Sequence, residues 1–344
     1  MAAHPVVGRE VPEELFVPVA LRARRTARTG VCPGVALGSE LGVSARRIPN
    51  PATRLIEQIE AAGAIDGWSA AVRPTIVALV GSGRRRDVLT GRWLGHAVHP
   101  AAVLAPLGCW VGAAVVDIGG GHGARRLARR LVGTGVAAAA PALASGAADW
   151  VDTDRAERRV GTAHALLNNL SLAAMTVSWM VRRRGHHRAG MVCSGAGLGG
   201  VLVAGLLGGH LAYARGVGVS TTAFQAGPDE WTRLIDVDEL TAGQPTAASL
   251  RGVGYVVVRG DETVHVHENR CTHRGGPLAE GTIADGCIEC PWHGSRFALD
   301  DGSVRAGPAS VPQPAYDARI VDGAVEIRRT ELGGLRASSV HPDR

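Results

Sequence analysis

Two short segments near the carboxyl end of this 344-residue chain contain side chains that bind metals. The first reads Cys271-Thr272-His273, and the second, after 16 intervening residues, reads Cys290-Pro291-Trp292-His293. Two thiols and two imidazoles can hold either one zinc ion or one two-iron cluster. Zinc sites commonly group Cys with Cys and His with His, whereas here each segment supplies one of each. This order favours a 2Fe-2S cluster in which the cysteines bind one iron and the histidines the other.

The two segments and their flanks resemble the Rieske domain family. The match rests on the pattern Cys-x-His-x16-Cys-x-x-His and on the flanking runs Arg274-Gly275-Gly276-Pro277-Leu278 and Gly294-Ser295-Arg296-Phe297. The resemblance implies one-electron transfer by a single 2Fe-2S cluster, with Cys271, His273, Cys290 and His293 as its ligands. Neutral imidazoles leave such a cluster less negative than four thiolates do. Its reduction potential is therefore expected between about −150 and +300 mV, above the value near −400 mV of all-cysteine clusters.

High-potential members of that family carry an extra cysteine in each ligand loop, forming a disulfide, and a Ser and a Tyr after the second loop. The corresponding loop positions here hold Gly276 and Trp292, so this disulfide is not expected. Ser295 is present as a hydrogen-bond donor beside the cluster, but Phe297 stands in the place of the Tyr. The resemblance therefore implies the lower-potential, ferredoxin-like branch.

The cluster motif lies within a region whose pattern is typical of an all-β domain, at residues 229–330. Short β-like runs at 232–237, 255–259, 264–267, 303–305, 319–321 and 325–328 are separated by turn signals such as Asp285-Gly286 and Asp322-Gly323. This region has 16 acidic residues against 10 arginines, a net charge of −6, although the whole chain carries +6. The acidic balance predicts a redox partner with a basic docking face.

Upstream of that domain, four apolar segments are long enough to cross about 30 Å of hydrocarbon. They are residues 97–116, 131–148, 160–181 and 189–214, and arginine groups lie beside them. They predict a four-helix transmembrane α domain at residues 93–215, packed through small residues such as Gly108, Gly112, Gly195, Gly199 and Gly200. A buried helical bundle of a soluble protein is the alternative. The predicted fold class is thus multidomain, with the transmembrane helices followed by an all-β Rieske domain.

The remaining segments have less regular patterns. Residues 1–50 and 331–344 are predicted to be disordered tails, and residues 216–228 a linker. Residues 51–92 are predicted to form amphipathic helices at the membrane interface. The first would be capped by Thr53 and ended by Gly63, and a separate short apolar piece would cover residues 75–80.

The helical region also resembles an uncharacterised four-helix membrane domain that is fused ahead of Rieske domains in bacteria, and this resemblance brings no established activity. In a four-span topology His99, His164 and His210 share the leaflet that faces the cluster domain. Such histidines are candidates for a haem or quinone site. The alternative is that headgroups and water satisfy them.

These patterns predict a membrane-anchored protein that passes single electrons between a redox partner and a protein or membrane acceptor. A redox sensor and a quinol or quinone oxidoreductase module remain as alternatives. A complete ring-hydroxylating oxygenase is not expected, because only 15 residues follow position 329, too few for its iron-binding second domain. Nucleic-acid binding is not expected, because the basic groups lie beside apolar runs without stacking aromatics.

The expected location is the bacterial cell membrane, as a multi-pass protein. Arginines are evenly divided between the two sides of the four predicted spans, so charge does not decide the orientation. The missing export signal and the missing loop disulfide favour a cytoplasmic Rieske domain.

Overall fold

The computed structural model of the protein describes residues 50–330 apart from Glu262. The two predicted tails therefore lie outside the described residues, except for Asn50. The first part of the described chain is helical and the second part is a β-domain. The helices are α1 Pro51–Ala61, α2 Ala64–Val80, α3 Arg84–Thr90, α4 His99–Ala102, α5 Leu104–Gly119, α6 His122–Val151, α7 Arg155–Arg183 and α8 His187–Tyr213.

The short helices α1 and α2 begin and end differently from the prediction. Asn50 caps α1, because its side-chain oxygen accepts a hydrogen bond from the Ala52 amide at 3.0 Å, whereas Thr53 lies inside the helix. The apolar piece at 75–80 is the second half of α2 rather than a separate element. Both helices pack against the long helices: Ile56 of α1 joins a buried cluster with Val160 and Leu207. The apolar face of α1 is thereby partly covered by protein.

Within the described part of the chain, three stretches are long and apolar enough to cross a membrane: His99–Gly119, Gly123–Val151 and His187–Ala214. Helix α7 contains the remaining predicted segment, but His164, Asn168 and Asn169 make its middle more polar. It packs against both α6 and α8. The charged groups at 125–130 and 155–159 were expected in connections, yet they occupy the first turns of α6 and α7.

Glycines let the long helices approach one another, but mostly at positions other than those predicted. A Cβ on Gly135 would lie 2.3 Å from the Trp110 ring nitrogen, and one on Gly133 would lie 2.5 Å from that of Trp179. Of the predicted packing glycines, Gly200 meets Ser171 closely and Gly112 makes an ordinary contact, whereas three have no neighbour within 4 Å: Gly108, Gly195 and Gly199. Tryptophan against glycine is therefore a recurring helix contact in this bundle.

A buried ion pair connects the carboxyl-terminal ends of α5 and α7. Arg182 near the end of α7 donates two hydrogen bonds to the Asp117 carboxylate on α5, at 2.9 and 2.5 Å. Only 1% of the Arg182 side chain and 5% of the Asp117 side chain are exposed. Hydroxyl groups of Ser178 and Ser194 accept further hydrogen bonds from the guanidinium. The pair is therefore both charge-matched and well hydrogen-bonded, as a buried pair requires.

The β-domain consists of two antiparallel sheets. The six-stranded sheet has the order β1-β10-β9-β4-β3-β2, and the four-stranded sheet has the order β5-β6-β7-β8. The strands are β1 Thr232–Asp236, β2 Pro245–Leu250, β3 Val253–Arg259, β4 Val264–Glu268, β5 Thr282–Ala284, β6 Cys287–Glu289, β7 Arg296–Ala298, β8 Val304–Ala306, β9 Ala315–Val321 and β10 Ala324–Arg329. The all-β prediction is confirmed for this domain.

Strand β3 joins the two cores of this domain. Val256 and Val258 face the core beneath the cysteines, whereas Tyr255 and Val257 face the second core. Successive side chains of a strand point to opposite faces, so a strand between two cores is apolar on both. This explains the continuous run of buried residues in β3.

Two neighbouring residues at the end of β4 are buried with opposite effects on their pKa values. Burial raises the pKa of Glu268 from 4.5 to about 7, and the Tyr316 hydroxyl donates a hydrogen bond to its carboxyl at 3.1 Å. Burial lowers the pKa of His267 from 6.5 to about 4. Both side chains are therefore held preferentially in their neutral forms.

The first prediction concerns Glu268. Its pKa is raised in the folded state, so its contribution to stability is present below pH 4.5 and is lost as pH rises through about 7. We expect the Glu268→Gln variant to gain about 3 kcal/mol relative to the unchanged protein across this window. Guanidinium unfolding at several pH values, followed by tryptophan fluorescence, measures this difference.

The matched control for that prediction is His267→Asn. The pKa of His267 is lowered in the folded state, so its contribution is present above pH 6.5 and is lost as pH falls through about 4. The stability of this variant relative to the unchanged protein should therefore decrease as pH rises. A Glu268→Gln difference that stays constant with pH would contradict the prediction.

A second prediction concerns the buried ion pair. Asp117→Asn leaves the Arg182 guanidinium charged and unmatched in the interior, which costs about 3–5 kcal/mol. We expect a clear fall in the melting temperature of the purified protein in detergent. Asp66→Asn is the control, because it breaks a more exposed pair with Arg159 and should lower the melting temperature much less. Equal losses in the two variants would refute this prediction.

Candidate metal centre

The two ligand segments form loops with the same backbone hydrogen bonds. In the first loop, the Cys271 amide donates to the Gly276 carbonyl at 2.9 Å and the Gly275 amide donates to the Cys271 carbonyl at 2.8 Å. In the second loop, the Cys290 amide donates to the Ser295 carbonyl at 2.8 Å and the Gly294 amide donates to the Cys290 carbonyl at 3.1 Å. Each loop therefore closes on its own cysteine over the same number of residues.

A glycine with positive φ makes each closure possible. Gly275 has φ of 77° and Gly294 has φ of 70°, and each donates its amide back to the cysteine of its loop. Residues with a Cβ rarely adopt this left-handed conformation. The two glycines thus allow each loop to turn back and hydrogen-bond to its own cysteine just after the histidine.

The structure brings the sequence-predicted ligands together as two pairs, and among the described residues there is no group of three or more His, Cys, Asp or Glu side chains that could hold one metal ion. Cys271 and Cys290 are 1% and 2% exposed and lie on the apolar core beneath the loops. The rings of His273 and His293 are 5.1 Å apart between centroids. The Nδ1 atom of His273 is buried and has no hydrogen-bond partner among the described residues. A buried nitrogen of this kind, beside two buried thiols and a second imidazole, fits a bound metal cluster.

The protonation of these groups suits metal binding. Burial lowers the pKa of His273 to about 3 and also lowers the pKa of His293, so both rings are neutral at pH 7. Hydrogen bonding with Cys271 lowers the pKa of Cys290 to about 7, while hydrogen bonding with Cys290 raises the pKa of Cys271. Neutral imidazoles and a thiol close to ionisation are the forms from which metal ligands arise.

The positions that hold extra cysteines in high-potential relatives face each other here. A Cβ on Gly276 would lie 3.1 Å from the Trp292 ring and 2.8 Å from the Cys290 sulfur. All five cysteines among the described residues are free thiols: Cys109, Cys193, Cys271, Cys287 and Cys290. The indole of Trp292 thus covers the place that a disulfide would take.

A third loop, which the sequence analysis missed, supports Ser295. The Ser295 hydroxyl oxygen accepts a hydrogen bond from the Ala309 amide at 3.1 Å, and its side chain is fully buried. A Cβ on Gly307, whose φ is 92°, would lie 2.5 Å from the Ser295 Cα. The Gly307-Pro308 dipeptide is a turn signal that could have indicated this loop. Because its oxygen accepts from Ala309, the Ser295 hydroxyl hydrogen remains available for a donor bond.

The helical domain covers the edge of the centre at His273. The Nε2 atom of His273 lies 3.4 Å from the Asp152 carboxylate, which follows α6. Arg274 of the same loop pairs with Glu157 on α7. Thr221, in the segment expected to be a linker, donates a side-chain hydrogen bond to the Cys271 carbonyl at 2.8 Å. No sequence signal pointed to Asp152, because it lies far from the motif along the chain.

The three membrane histidines do not form one site in the described structure. His99 and His164 are 6.5 Å apart between ring centroids, and their Nδ1 atoms lie 2.9 and 2.8 Å from the Ala142 and Ala204 carbonyls. His210 instead contacts Glu60 of α1 at 2.9 Å. The neighbouring helices thus provide a polar partner for each ring.

Comparisons with known proteins match both parts of the chain. Residues 230–317 match the family model described as Rieske [2Fe-2S] domain, and residues 95–221 match the one described as Predicted membrane protein (DUF2231). The anthranilate 1,2-dioxygenase ferredoxin subunit of Burkholderia cepacia is 37% identical over 99 residues, which are 28% of this chain and 91% of that protein. Ferredoxin CarAc of Metapseudomonas resinovorans is 26% identical over 98 residues, which are 28% of this chain and 92% of that protein.

Solved structures of ferredoxins match the same region. The Sphingomonas yanoikuyae B1 ferredoxin is 32% identical, with 29% of this chain and 100% of that chain covered at a TM-score of 0.28. The family model at residues 230–317 implies a single 2Fe-2S cluster in the carboxyl-terminal domain. Through this domain the chain belongs to the Rieske [2Fe-2S] family, as a ferredoxin-type member that follows a domain of the predicted membrane protein family DUF2231.

Proposed function

We propose that the protein is a membrane-anchored electron carrier, which passes single electrons between a redox partner and a protein or membrane acceptor. The observation that carries this proposal is the contact of 3.4 Å between His273 and Asp152. It puts one histidine of the candidate centre directly against the domain that contains the apolar helices. A ferredoxin domain held in this way stays at the membrane instead of diffusing.

In this proposal Cys271, His273, Cys290 and His293 hold the cluster. A 2Fe-2S cluster held by these residues would supply one-electron transfer, with a potential in the range of about −150 to +300 mV. The buried cysteines keep water from the base of the site, and the neutral histidines face outward at its edge. Ser295 is placed to donate a hydrogen bond towards this site and thereby to raise the potential within that range.

The helices serve as the anchor. Residues on their outer surface are apolar and exposed, for example Leu104 at 66%, Ile118 at 85% and Val192 at 74%. Such a surface suits lipid rather than water. We propose that α7 is a fourth crossing beside the three apolar stretches. With α7 and α8 both crossing, Asp152 before α7 and the segment 216–228 after α8 would lie on the same side of the membrane as the Rieske domain.

We further propose that the Rieske domain faces the cytoplasm of a bacterium, which suits its free thiols. Its net charge of −6 suits a partner with a basic docking face. Trp292 is 50% exposed, and its ring centroid is 6.5 Å from that of His293. That side of the centre therefore remains open to a partner, while the His273 side is covered.

A third prediction tests the ligand assignment. Cys271→Ser and His273→Ala each remove one iron ligand, so we expect the reduced Rieske EPR signal of the full-length protein in detergent to be lost. Cys287→Ser is the matched control, since this buried cysteine lies on β6 only three residues before Cys290 and is not in the ligand set. The control should keep its iron content and its signal. A signal that persists in either ligand variant would overturn the assignment.

A fourth prediction tests the docking mode. Cytochrome c, a basic one-electron acceptor, should oxidise the reduced protein more slowly as ionic strength rises. The screening length falls from about 30 Å at 0.01 M salt to about 10 Å at 0.1 M, which weakens attraction between the acidic domain and a basic partner. Ferricyanide is the control, because repulsion of this anion makes its rate rise or stay level with salt. Stopped-flow rates for cytochrome c that do not change with salt would argue against a basic partner face.

A further inference from the structure

Asp152 brings a carboxylate of the helical domain to a ligand of the candidate cluster. It directly follows α6, and its side chain is 7% exposed. One carboxylate oxygen lies 3.4 Å from Nε2 of His273, and the other accepts a hydrogen bond from Arg86 of α3 at 2.5 Å. Asp152, at the end of α6, thus links His273 to Arg86 of α3.

Two of the neighbouring charged side chains, Asp154 and Arg274, are engaged elsewhere, whereas the carboxyl of Asp149 is partly buried and lies close enough to be repelled by the charge of Asp152. Asp154, two residues further on, has a side chain that is 71% exposed and pairs with Arg158 at 3.1 Å. Arg274 beside the ligand pairs with Glu157. Of the acidic side chains in this connection, Asp152 is the one in contact with His273, and Arg86 is its partner among the described residues.

We infer that Asp152 is a positioning residue for the electron-transfer site, which orients His273 and, together with Arg86, sets the reduction potential from the helical domain. The inference rests on the proposed function, because it requires the cluster to be held by His273. A carboxylate facing Nε2 favours the ring tautomer that carries its hydrogen there. The Nδ1 atom, which is buried and unpaired, is then free to bind iron.

The same contact has an electrostatic consequence. A negative charge beside a ligand disfavours the added electron, and it acts strongly because both side chains are shielded from water. The positive charge of Arg86 offsets this effect. Removing the two charges one at a time should therefore shift the potential in opposite directions, since each removal leaves the other charge uncompensated.

The test is a redox titration of the cluster-loaded, full-length protein in detergent, followed by EPR. We expect Asp152→Asn to raise the midpoint potential and Arg86→Gln to lower it. Each shift should change the reduction equilibrium about tenfold, which is about 59 mV for one electron. Asp154→Asn is the matched control, since it removes the same charge nearby without touching His273, and its shift should be much smaller.

The possible outcomes separate this inference from the proposed function. Absence of a Rieske signal in the unchanged protein would overturn the proposed function itself. A normal signal, with Asp152→Asn leaving the potential unchanged or lower, would overturn only the role of Asp152. Equal shifts in Asp152→Asn and Asp154→Asn would do the same, because contact with His273 would not matter. If Asp152→Asn loads no cluster, Arg86→Gln decides alone: a lower potential supports the inference, and an unchanged or higher one refutes it.

Discussion

Two thiols and two neutral imidazoles have to be held within a few ångströms of one another, and this requirement constrains the whole β-domain. The cysteines need a dry base, which the core beneath them provides through Val256, Ile288 and Phe297. The histidines need to stay uncharged, and their burial ensures it. The matching hydrogen bonds close each loop on its own cysteine, and the two histidine rings lie 5.1 Å apart between centroids. Sheet order, loop closure and burial thus serve one arrangement of four atoms.

In the helical domain, several buried polar groups have a partner on a neighbouring helix, although the Trp110 indole nitrogen has none among the described residues. Arg182 is matched by Asp117, and the His99 and His164 rings by backbone carbonyls. Unmatched polar groups would be costly in an apolar surrounding. These contacts hold the helices at fixed positions, which in turn fixes the connection that carries Asp152. The position of one carboxylate at the cluster edge therefore depends on packing throughout the bundle.

The sequence proposes a ligand set because the information for it is local: four residue types at a fixed spacing within 23 positions. Strand β2 could not, because its Pro, Ala and Ser residues have no β pattern and it exists through pairing with β3. Strands β5 to β7 have three residues each, too few to show alternation. Helices α6 and α7 begin before the apolar segments predicted from the sequence, because a charged residue ends an apolar run but does not end a helix. The contact of Asp152 with His273 exists only because the helical domain packs against the β-domain, and no local sequence pattern indicates that packing.

The cover over His273 also limits access to the cysteines beneath it. The His273 side chain is only 15% exposed where Asp152 lies against it. Asp152 and His273 come from parts of the chain that are more than one hundred residues apart, so this cover forms only when the helices and the β-domain pack together. The cysteines are therefore easier to reach from the His273 side before that packing is complete than after it.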